Sequence, residues 1–226
     1  MMDFRVVKIS PEPAAAQETS RQISEEDRSL FGTAVILAGG KSSRMGFDKQ
    51  LLMDNNRRML EKVIDALRKE FCDILIVTAK PELYRGMDVR LCADCYHDMG
   101  PLAGVHAAMN HARSRYVYLF ACDMPVVNLP YIRYMKEKIL ETGTKLCACR
   151  RNDCFEPFNA FYSTELLQDA QNRLDAGSAS LFRFIQSAEP YVVSEDEAAL
   201  YDRDLRMFTN INTRPELDSY LGSTVG

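Results

Sequence analysis

The sequence predicts an α/β protein in which helices flank a mostly parallel sheet. Two patterns carry this prediction. Short apolar runs alternate with longer amphipathic segments along the chain, which is typical of βαβ crossovers. Glycine and carboxylate residues directly follow several of the apolar runs, and parallel sheets bind ligands beyond the carboxyl ends of their strands. With 226 residues, 46% of them apolar, the chain can fill a proper core.

The individual elements follow from the same patterns. The short apolar runs predict strands at 33–38, 73–78, 88–92, 116–121, 144–149, 157–162, 190–193 and 207–211. The amphipathic segments predict helices at 57–71, 101–113, 128–142, 163–175, 178–187 and 214–221. In the first of these helices, apolar residues such as Met59, Val63 and Leu67 recur every three or four positions.

The chain is predicted to consist of a flexible N-terminal extension, residues 1–30, and a single domain, residues 31–226. The extension contains "PEPAAAQETSRQISEED", whose composition favours a tail or a linker.

The overall charge and hydropathy exclude some classes of function. Lys and Arg number 28 and Asp and Glu 32, a net charge of −4, which argues against broad nucleic-acid binding. No apolar run approaches the roughly 20 residues of a membrane span, and the N-terminus has no apolar signal region. We therefore expect no nucleic-acid partner, no membrane partner and a cytoplasmic location.

The seven cysteines are predicted to be thiols in a reducing compartment, because most lie within strand-like runs. Cys92 and Cys95 form a C-x-x-C pair, and Cys147 and Cys149 lie two positions apart from each other in the sequence. A structural zinc site needs four converging ligands, and the C-x-x-C spacing occurs once. The alternative, a redox or zinc-binding interaction protein built on these cysteines, predicts stoichiometric metal.

The stretch 33–49, "TAVILAGGKSSRMGFDK", contains Gly-Lys-Ser but is not a nucleoside-triphosphate P-loop. The pattern G-x-x-x-x-G-K-[ST] would need a glycine at position 35, where Val35 stands in an apolar run. The pattern G-x-G-x-x-G also fails, because Gly39 and Gly40 are adjacent. The stretch therefore predicts a strand followed by a different kind of glycine loop.

This loop has the residues of a phosphate-binding site. Gly39 and Gly40 lack a Cβ, so the backbone can approach a ligand closely. Arg44 and Lys49 could then neutralise phosphate oxygens, Arg through its fork and Lys as a point charge. The alternative is a solvated basic turn before a helix.

A carboxylate follows the predicted strand 116–121 in "ACDMP". Asp123 stands where an isolated charge is costly unless it is paired or bound to a metal. Magnesium held by one or two carboxylates and by substrate phosphates would fit this position. The alternative is that Asp123 caps the next turn, which Pro125 fixes.

Two further segments have polar groups at predicted strand or helix ends. Gly100 begins "GPLAG", which is predicted to open a helix. The free N–H groups at the start of this helix could bind an anion or the edge of a base. The alternative is that the segment is an ordinary loop-to-helix junction without a ligand. Asn210 and Asn212 alternate at the end of a predicted strand, so they face one side and could bind a polar substrate, or they form a turn. The three histidines do not share a metal-ligand spacing and are predicted to be bystanders.

Taken in order, these motifs resemble those of a known family. "LAGGKSSRMGFDK" resembles the nucleotidyltransferase signature L-A-G-G-x-S-x-R-M-G-x-D-K. "GPLAGV", "CDMP", "EPFNAFY" and "NINT" follow it, and the set is similar to that of the molybdenum cofactor guanylyltransferase family of molybdopterin nucleotidyltransferases. The resemblance covers about residues 31–221. It implies a Rossmann-like, nucleotidyltransferase (GT-A-like) architecture.

The resemblance also implies a reaction. The terminal phosphate of molybdopterin, carrying molybdenum, would attack the α-phosphate of GTP, release pyrophosphate and form molybdopterin guanine dinucleotide. GTP and molybdopterin, or Mo-molybdopterin, would be the substrates and Mg²⁺ the cofactor. Proteins that deliver or receive the molybdenum cofactor would be further partners.

Site residues are implied by position in the family motifs. The implied catalytic residues are Arg44, Lys49 and Asp123, the last also as the metal ligand. The implied nucleotide-binding residues are Leu37, Ala38, Gly39, Gly40, Lys49, Thr78, Asp94, Gly100 and Asp123. The implied pterin-binding residues are Glu156, Pro157, Asn210 and Asn212.

The chain departs from the family pattern at two positions, and two other functions stay open. Thr78 stands near a position where the family often has asparagine, and Arg214 is inserted in "NINTRP". A cytidylyltransferase acting on the same cofactor more often has the loop L-A-A-G, where this chain has L-A-G-G. A non-catalytic nucleotide sensor on the same fold is disfavoured because Arg44, Lys49 and Asp123 are all present.

Overall fold

The computed structural model describes residues 24–38, 53–54, 57–96 and 98–223. The strands are β1 Thr33–Leu37, β2 Met53–Asp54, β3 Arg57–Arg58, β4 Asp73–Val77, β5 Arg90–Cys92, β6 Tyr116–Ala121, β7 Leu146–Arg151, β8 Cys154–Phe155, β9 Ala160–Ser163 and β10 Tyr191–Val193. The α-helices are α1 Glu25–Phe31, α2 Met59–Leu67, α3 Pro101–Asn110, α4 Leu129–Thr142, α5 Leu167–Asp175, α6 Leu181–Ser187, α7 Glu195–Ala199 and α8 Arg214–Ser223. Short 3₁₀ turns lie at Pro81–Tyr84, Thr164–Leu166 and Arg206–Phe208.

One large sheet organises the described chain, with the strand order β10-β7-β9-β6-β1-β4-β5. β1 pairs in parallel with β4 and β6, β4 with β5, and β7 with β10. β9 runs antiparallel between β6 and β7, and the short β8 pairs with β7. The prediction of a mostly parallel α/β sheet flanked by helices is confirmed.

The sheet is covered on both faces, which explains its continuous apolar runs. All five residues of β1 are buried. Ile36 points into a core built with α2 and α4, while Val35 points into a core built with α3, α5 and α6. Side chains alternate between the two layers because successive strand residues face opposite sides. In the part of the chain that is described, no helix has the length and apolarity needed to span a membrane.

The predicted strand 207–211 is wrong. A 3₁₀ turn follows Leu205, which has a left-handed backbone conformation with φ of 52°. The Met207 N–H donates to the Asp202 carboxylate at 2.8 Å, and the Met207 carbonyl accepts from the Asn159 side chain. Side chains from elsewhere in the fold satisfy the backbone here, so no neighbouring strand is needed.

The folded part begins earlier than residue 31. All of helix α1 except Phe31 lies within the predicted extension, and the helix starts after Ser24, whose side chain accepts from the Asp27 N–H. At the end of α1, Phe31 is buried and stacks on Tyr116 with ring centroids 5.4 Å apart. Residues 1–23 lie outside the described residues.

Candidate functional site

The carboxyl ends of four adjacent parallel strands meet at one edge of the sheet. Past the end of β1, the Ala38 N–H donates to the Val77 carbonyl at 2.9 Å. Past the end of β4, the Thr78 N–H donates to the Cys92 carbonyl at 2.9 Å. Parallel pairing thus continues to the rim, and it brings the predicted nucleotide-binding residues Leu37, Ala38 and Thr78 onto one edge.

The glycine loop follows Ala38 directly in sequence. Gly39, Gly40, Arg44 and Lys49 lie outside the described residues. Their predicted contacts with the nucleotide phosphates therefore stay predictions.

Helix α3 begins at this edge and packs closely on β1. Gly100 precedes it with φ of 68°, a conformation that favours glycine, and Pro101 occupies the first turn. A Cβ on Gly104 would lie 3.1 Å from Leu37 Cδ1. Glycine at position 104 therefore allows the close approach that brings "GPLAG" next to the last residue of β1.

Asp123 lies two residues beyond β6 and is half-buried. Its neighbour Cys122 donates its N–H to the Leu37 carbonyl at 3.2 Å, which fixes the segment against β1. The carbonyl of Asp123 itself accepts from the Ile211 N–H at 2.8 Å. The motifs "CDMP" and "NINT", 88 positions apart when counted from Asp123 to Ile211, are thus joined by a backbone hydrogen bond.

The segment containing Asn210 and Asn212 keeps an alternating pattern although it is not a strand. Ile211 is 1% exposed, whereas Asn210 and Asn212 are exposed. The Asn212 N–H donates to the Glu216 carboxylate at 2.5 Å, which anchors the segment to the start of α8. The backbone hydrogen bond from Ile211 therefore brings the segment that contains Asn210 and Asn212 next to Asp123.

Asp94 lies two residues beyond β5 and is half-buried. Three strand spacings separate β5 from β6 in the order β5-β4-β1-β6. At about 4.8 Å per spacing, the strand ends that precede Asp94 and Asp123 are roughly 14 Å apart. The two carboxylates therefore follow well-separated strands of the same edge, and their predicted roles in binding the nucleotide stay predictions.

Thr78 is buried, and its hydroxyl accepts from the Lys80 N–H at 3.0 Å. The side chain therefore shapes the turn that follows β4. A direct contact between Thr78 and the nucleotide stays a prediction.

The other side of the edge is formed by the end of β7 and the start of the antiparallel β9. Glu156 donates its N–H to the Cys149 carbonyl at 2.8 Å, and its carboxylate accepts from Arg151 Nη1 at 3.0 Å. Burial raises the pKa of the Glu156 carboxyl above its usual value, while Arg151 acts in the opposite direction. The carbonyl of Pro157 accepts from the Tyr162 hydroxyl at 2.8 Å. Both predicted pterin-side residues are thus held in fixed positions.

Sequence reasoning missed Asn159, which connects three elements. It is 1% exposed and has φ of 53°. Its N–H donates to the Leu119 carbonyl at 2.8 Å, its Oδ1 accepts from the Tyr118 hydroxyl at 2.6 Å, and its Nδ2 donates to the Met207 carbonyl. Burial raises the pKa of Tyr118 well above its usual value, so the hydroxyl stays a donor. The position of Asn159 within "EPFNA" was the available signal.

Arg151 was also missed, although "CRRND" is visibly basic. Its guanidinium lies over the Phe208 ring, 5.4 Å from the centroid, in addition to its bond with Glu156. Its Nε is buried and has no hydrogen-bond partner among the described residues. The end of β7 therefore has a positive charge on the predicted pterin side.

The donor set at Asp123 fits a magnesium ion that substrate phosphates help to hold. Within the described ranges, no three His, Cys, Asp or Glu side chains come together as a metal-binding group. Magnesium commonly binds through one or two carboxylates, water and substrate phosphates. A single half-buried carboxylate at the strand edge matches that manner of binding.

A cavity of about 320 Å³ lies at the opposite edge of the sheet, near the amino ends of β1 and β4. Its lining residues are Glu25, Arg28, Ser29, Gly32, Thr33, Cys72, Asp73 and Arg113. There the Asp73 carboxylate accepts from Arg90 Nε at 2.7 Å, from Arg90 Nη2 at 2.5 Å and from the Thr33 hydroxyl at 2.9 Å. This network joins strand starts, and none of the predicted site residues that the structure describes lies there.

Comparison with known proteins places this geometry among nucleotidyltransferases. Residues 34–196 match the model of the MobA-like NTP transferase domain. The chain is 46% identical over 190 residues to a molybdenum cofactor guanylyltransferase of Syntrophotalea carbinolica, covering 84% of this chain and 90% of the relative. It is 39% identical over 200 residues to a probable molybdenum cofactor guanylyltransferase of Peptoclostridium acidaminophilum, covering 86% and 90%.

The fold is also similar to that of solved structures. Molybdopterin-guanine dinucleotide biosynthesis protein A from Archaeoglobus fulgidus superposes with a TM-score of 0.75 at 20% identity. The match covers 85% of this chain and 98% of that one. At this identity the similarity establishes the fold.

Proposed function

The chain belongs to the MobA-like NTP transferases and, within them, to the molybdenum cofactor guanylyltransferase family, and from this premise we propose how its strand edge performs the reaction. The enzyme transfers GMP from GTP to the terminal phosphate of molybdopterin, releasing pyrophosphate and forming molybdopterin guanine dinucleotide. The hydrogen bond from Ile211 to Asp123 is the observation that most supports this assignment. It brings the acceptor-side motif against the nucleotide-side motif, where the two phosphates must meet.

The chemistry needs alignment more than it needs a base. The attacking phosphate is already anionic near neutral pH, so no strong general base is required. Charge repulsion between the two phosphates and their in-line alignment are the main barriers, and cations and positioning lower them. The edge suits this task because rigid parallel strands support its residues.

Each part of the edge has a role in this proposal. Leu37, Ala38 and the start of α3 at Gly100 form the floor for the nucleotide, with Asp94 at its base or ribose end. The residues outside the described ranges, Gly39, Gly40, Arg44 and Lys49, would contact the phosphates. Glu156, Pro157, Asn210 and Asn212 would hold the pterin.

We propose Asp123 as the protein ligand of magnesium. When bound, the ion would neutralise negative charge on the phosphates and so favour attack. Asp123 holds its place because the neighbouring backbone groups bond to β1 and to Ile211.

Replacing Asp123 with alanine tests this role. We expect magnesium-dependent turnover to fall at least about 100-fold, by analogy with the loss of one preorganised transition-state contact. The unfolding temperature should stay near that of the parent protein, since the two backbone bonds persist. Asp196→Ala, at an exposed carboxylate on α7, is the matched control and should keep full activity. Normal turnover in Asp123→Ala would remove this carboxylate from the mechanism.

The nucleotide that the protein prefers, GTP or CTP, distinguishes guanylyl transfer from cytidylyl transfer. The names of the relatives support guanylyl transfer. We would titrate the protein with GTP, CTP and ATP by calorimetry, each with magnesium. Selective heat with GTP supports guanylyl transfer, and preference for CTP overturns it while keeping the fold. GTP binding without pyrophosphate release in the presence of molybdopterin would instead indicate a nucleotide sensor.

We also propose a cytoplasmic location and transient contact with proteins that deliver or receive the molybdenum cofactor. None of the seven cysteines, all of which lie within the described residues, forms a disulfide, which suits a reducing compartment. Fractionation of cells that express the tagged chain would test the location.

A further inference from the structure

The guanidinium of Arg151 has donors that no described residue of the protein accepts from. Arginine carries five N–H donors. Within the described chain it makes one hydrogen bond, from Nη1 to Glu156 at 3.0 Å, and Nε is buried without an acceptor. The side chain is nevertheless 25% exposed, so part of it is open to solvent.

The group is held in place from two sides. The Glu156 carboxylate fixes one end of the guanidinium, and the Phe208 ring supports its flat face at 5.4 Å. Phe208 lies in the 3₁₀ turn Arg206–Phe208, and the carbonyl of the preceding residue, Met207, accepts a hydrogen bond from the Asn159 side chain. An arginine fixed in this manner loses little freedom when it binds an anion.

The position of Arg151 limits what it can contact. It ends β7, and the order β6-β9-β7 puts it two strand spacings, roughly 10 Å, from the strand that ends before Asp123. Five spacings, roughly 24 Å, separate it from β5 and Asp94. An arginine side chain can reach toward Asp123 across the first gap, and it cannot reach a base bound near Asp94.

We propose that Arg151 binds the anionic acceptor substrate, through the phosphomonoester that attacks the nucleotide. This inference rests on the proposed function and adds to it a residue that none of the recognised motifs contains. A guanidinium fork matches the oxygens of a phosphate, and it lowers the repulsion between the acceptor and the triphosphate. Glu156 acts as a positioning residue, because it orients the arginine that binds the acceptor.

The chain provides a matched control next to the proposed residue. Arg150 also pairs with a carboxylate, Asp153 at 3.3 Å, and also lies over an aromatic ring, Phe155 at 5.7 Å. Its side chain is 48% exposed and that of Asp153 is 96% exposed. The two arginines therefore share their kinds of contact and differ in their position relative to the site.

The experiment compares Arg151→Gln, Arg151→Lys and Arg150→Gln. Initial rates would be measured against GTP and against molybdopterin, and binding of molybdopterin alone would be measured by equilibrium dialysis. For Arg151→Gln we expect the KM and the Kd for molybdopterin to rise at least tenfold. The KM for GTP and its calorimetric Kd should stay within twofold. Arg151→Lys should recover part of the loss, and Arg150→Gln should change nothing more than twofold.

Two results would overturn the inference. One is an unchanged molybdopterin Kd in a folded Arg151→Gln protein, and the other is an equal loss toward GTP and molybdopterin, which a purely structural role would give. If Arg151→Gln does not fold, Arg151→Lys decides by the same two constants. Absence of GTP binding and turnover in the parent protein would instead reject the proposed function, which separates the two failures.

Discussion

Asn159 is a buried residue whose backbone and side chain link the elements around the candidate site. It joins the end of β6, the start of β9 and the turn before "TNINT" through three hydrogen bonds. Its left-handed backbone, which asparagine tolerates better than most residues, directs the chain from the pterin side back into the sheet.

Asn159→Ala should lower the free energy of unfolding by about 3 kcal/mol. The change leaves the Tyr118 hydroxyl and the Met207 carbonyl buried without a partner, and it puts alanine in a left-handed conformation. Urea unfolding would measure the loss. Asn152, also left-handed with φ of 45° but exposed, is the control, and Asn152→Ala should cost about 1 kcal/mol. Equal costs at the two positions would show that the buried hydrogen bonds add nothing.

The thiols should differ in reactivity according to their burial. Burial raises the pKa of Cys92 to about 11 and that of Cys149 to about 12, so at pH 8 their thiolate fractions are on the order of one in a thousand or less. The exposed Cys72, Cys95 and Cys154 should therefore react first with iodoacetamide, as read by mass spectrometry. Labelling of Cys92 should grow about tenfold per pH unit between pH 8 and 10. If Cys92 reacts as fast as Cys95 at pH 8 in the native protein, its burial is wrong.

Among the elements, those that could be predicted from sequence have local causes. β1, β4 and β6 are buried throughout because both faces of the sheet are covered, and apart from Thr33 and Asp73, which begin β1 and β4, their residues are apolar or aromatic. Their ends are marked in the sequence by Gly39, Thr78 and Asp123. Helix α7 could have been predicted from the capping box in which Ser194 and Glu197 cap each other.

The turn at Arg206–Phe208 could not have been predicted in the same manner. Its apolar residues satisfy the pattern of a strand, while its actual shape depends on Asp202 and on the distant Asn159. The pairing of Arg151 with Glu156 depends similarly on the β7–β8 hairpin that brings the two together. Interactions of this kind appear in the fold and leave no periodic signal in the sequence.

The close packing of helix α3 on strand β1 predicts how a substitution in the helix affects nucleotide binding. Gly104→Ala would put a methyl group 3.1 Å from Leu37 Cδ1, directly before the glycine loop. The gain in helix propensity, about 1 kcal/mol, should offset most of the crowding, so stability should change little. Affinity for GTP should fall severalfold because Leu37 is displaced.

Gly222→Ala in α8 is the control for that variant, since, apart from its chain neighbours and the backbone of its own helix, no atom of the described residues lies within 4 Å of the position that its new methyl group would take. Its affinity for GTP should equal that of the parent protein in a calorimetric titration. An unchanged GTP affinity in Gly104→Ala would show that the nucleotide does not depend on the position of Leu37.

At the scale of the molecule, the edge that carries the candidate site has two halves, the proposed nucleotide side at β5, β4, β1 and β6 and the proposed pterin side at β9 and β7. The strands that end near Asp94 and at Arg151 are five spacings, roughly 24 Å, apart. Substitutions at positions this far apart usually change the free energy independently of each other. The losses in kcat/KM caused by Asp94→Ala and Arg151→Gln should therefore add, in the double variant, to within about 0.5 kcal/mol. Steady-state kinetics of the three variants would measure this, and coupling well above that value would mean that the two halves move together.

The position of β9 between β6 and β7 has a consequence for how the protein is made. β1, β4, β5 and β6 all lie within residues 33–121, so these four strands are synthesised before β7, β9 and β10. β7 is synthesised before β9, although β9 lies between β6 and β7 in the sheet, so β6 and β7 cannot be joined until β9 is made. The proposed nucleotide-binding strands are therefore made first, and the later strands complete a sheet whose first half can already be folded.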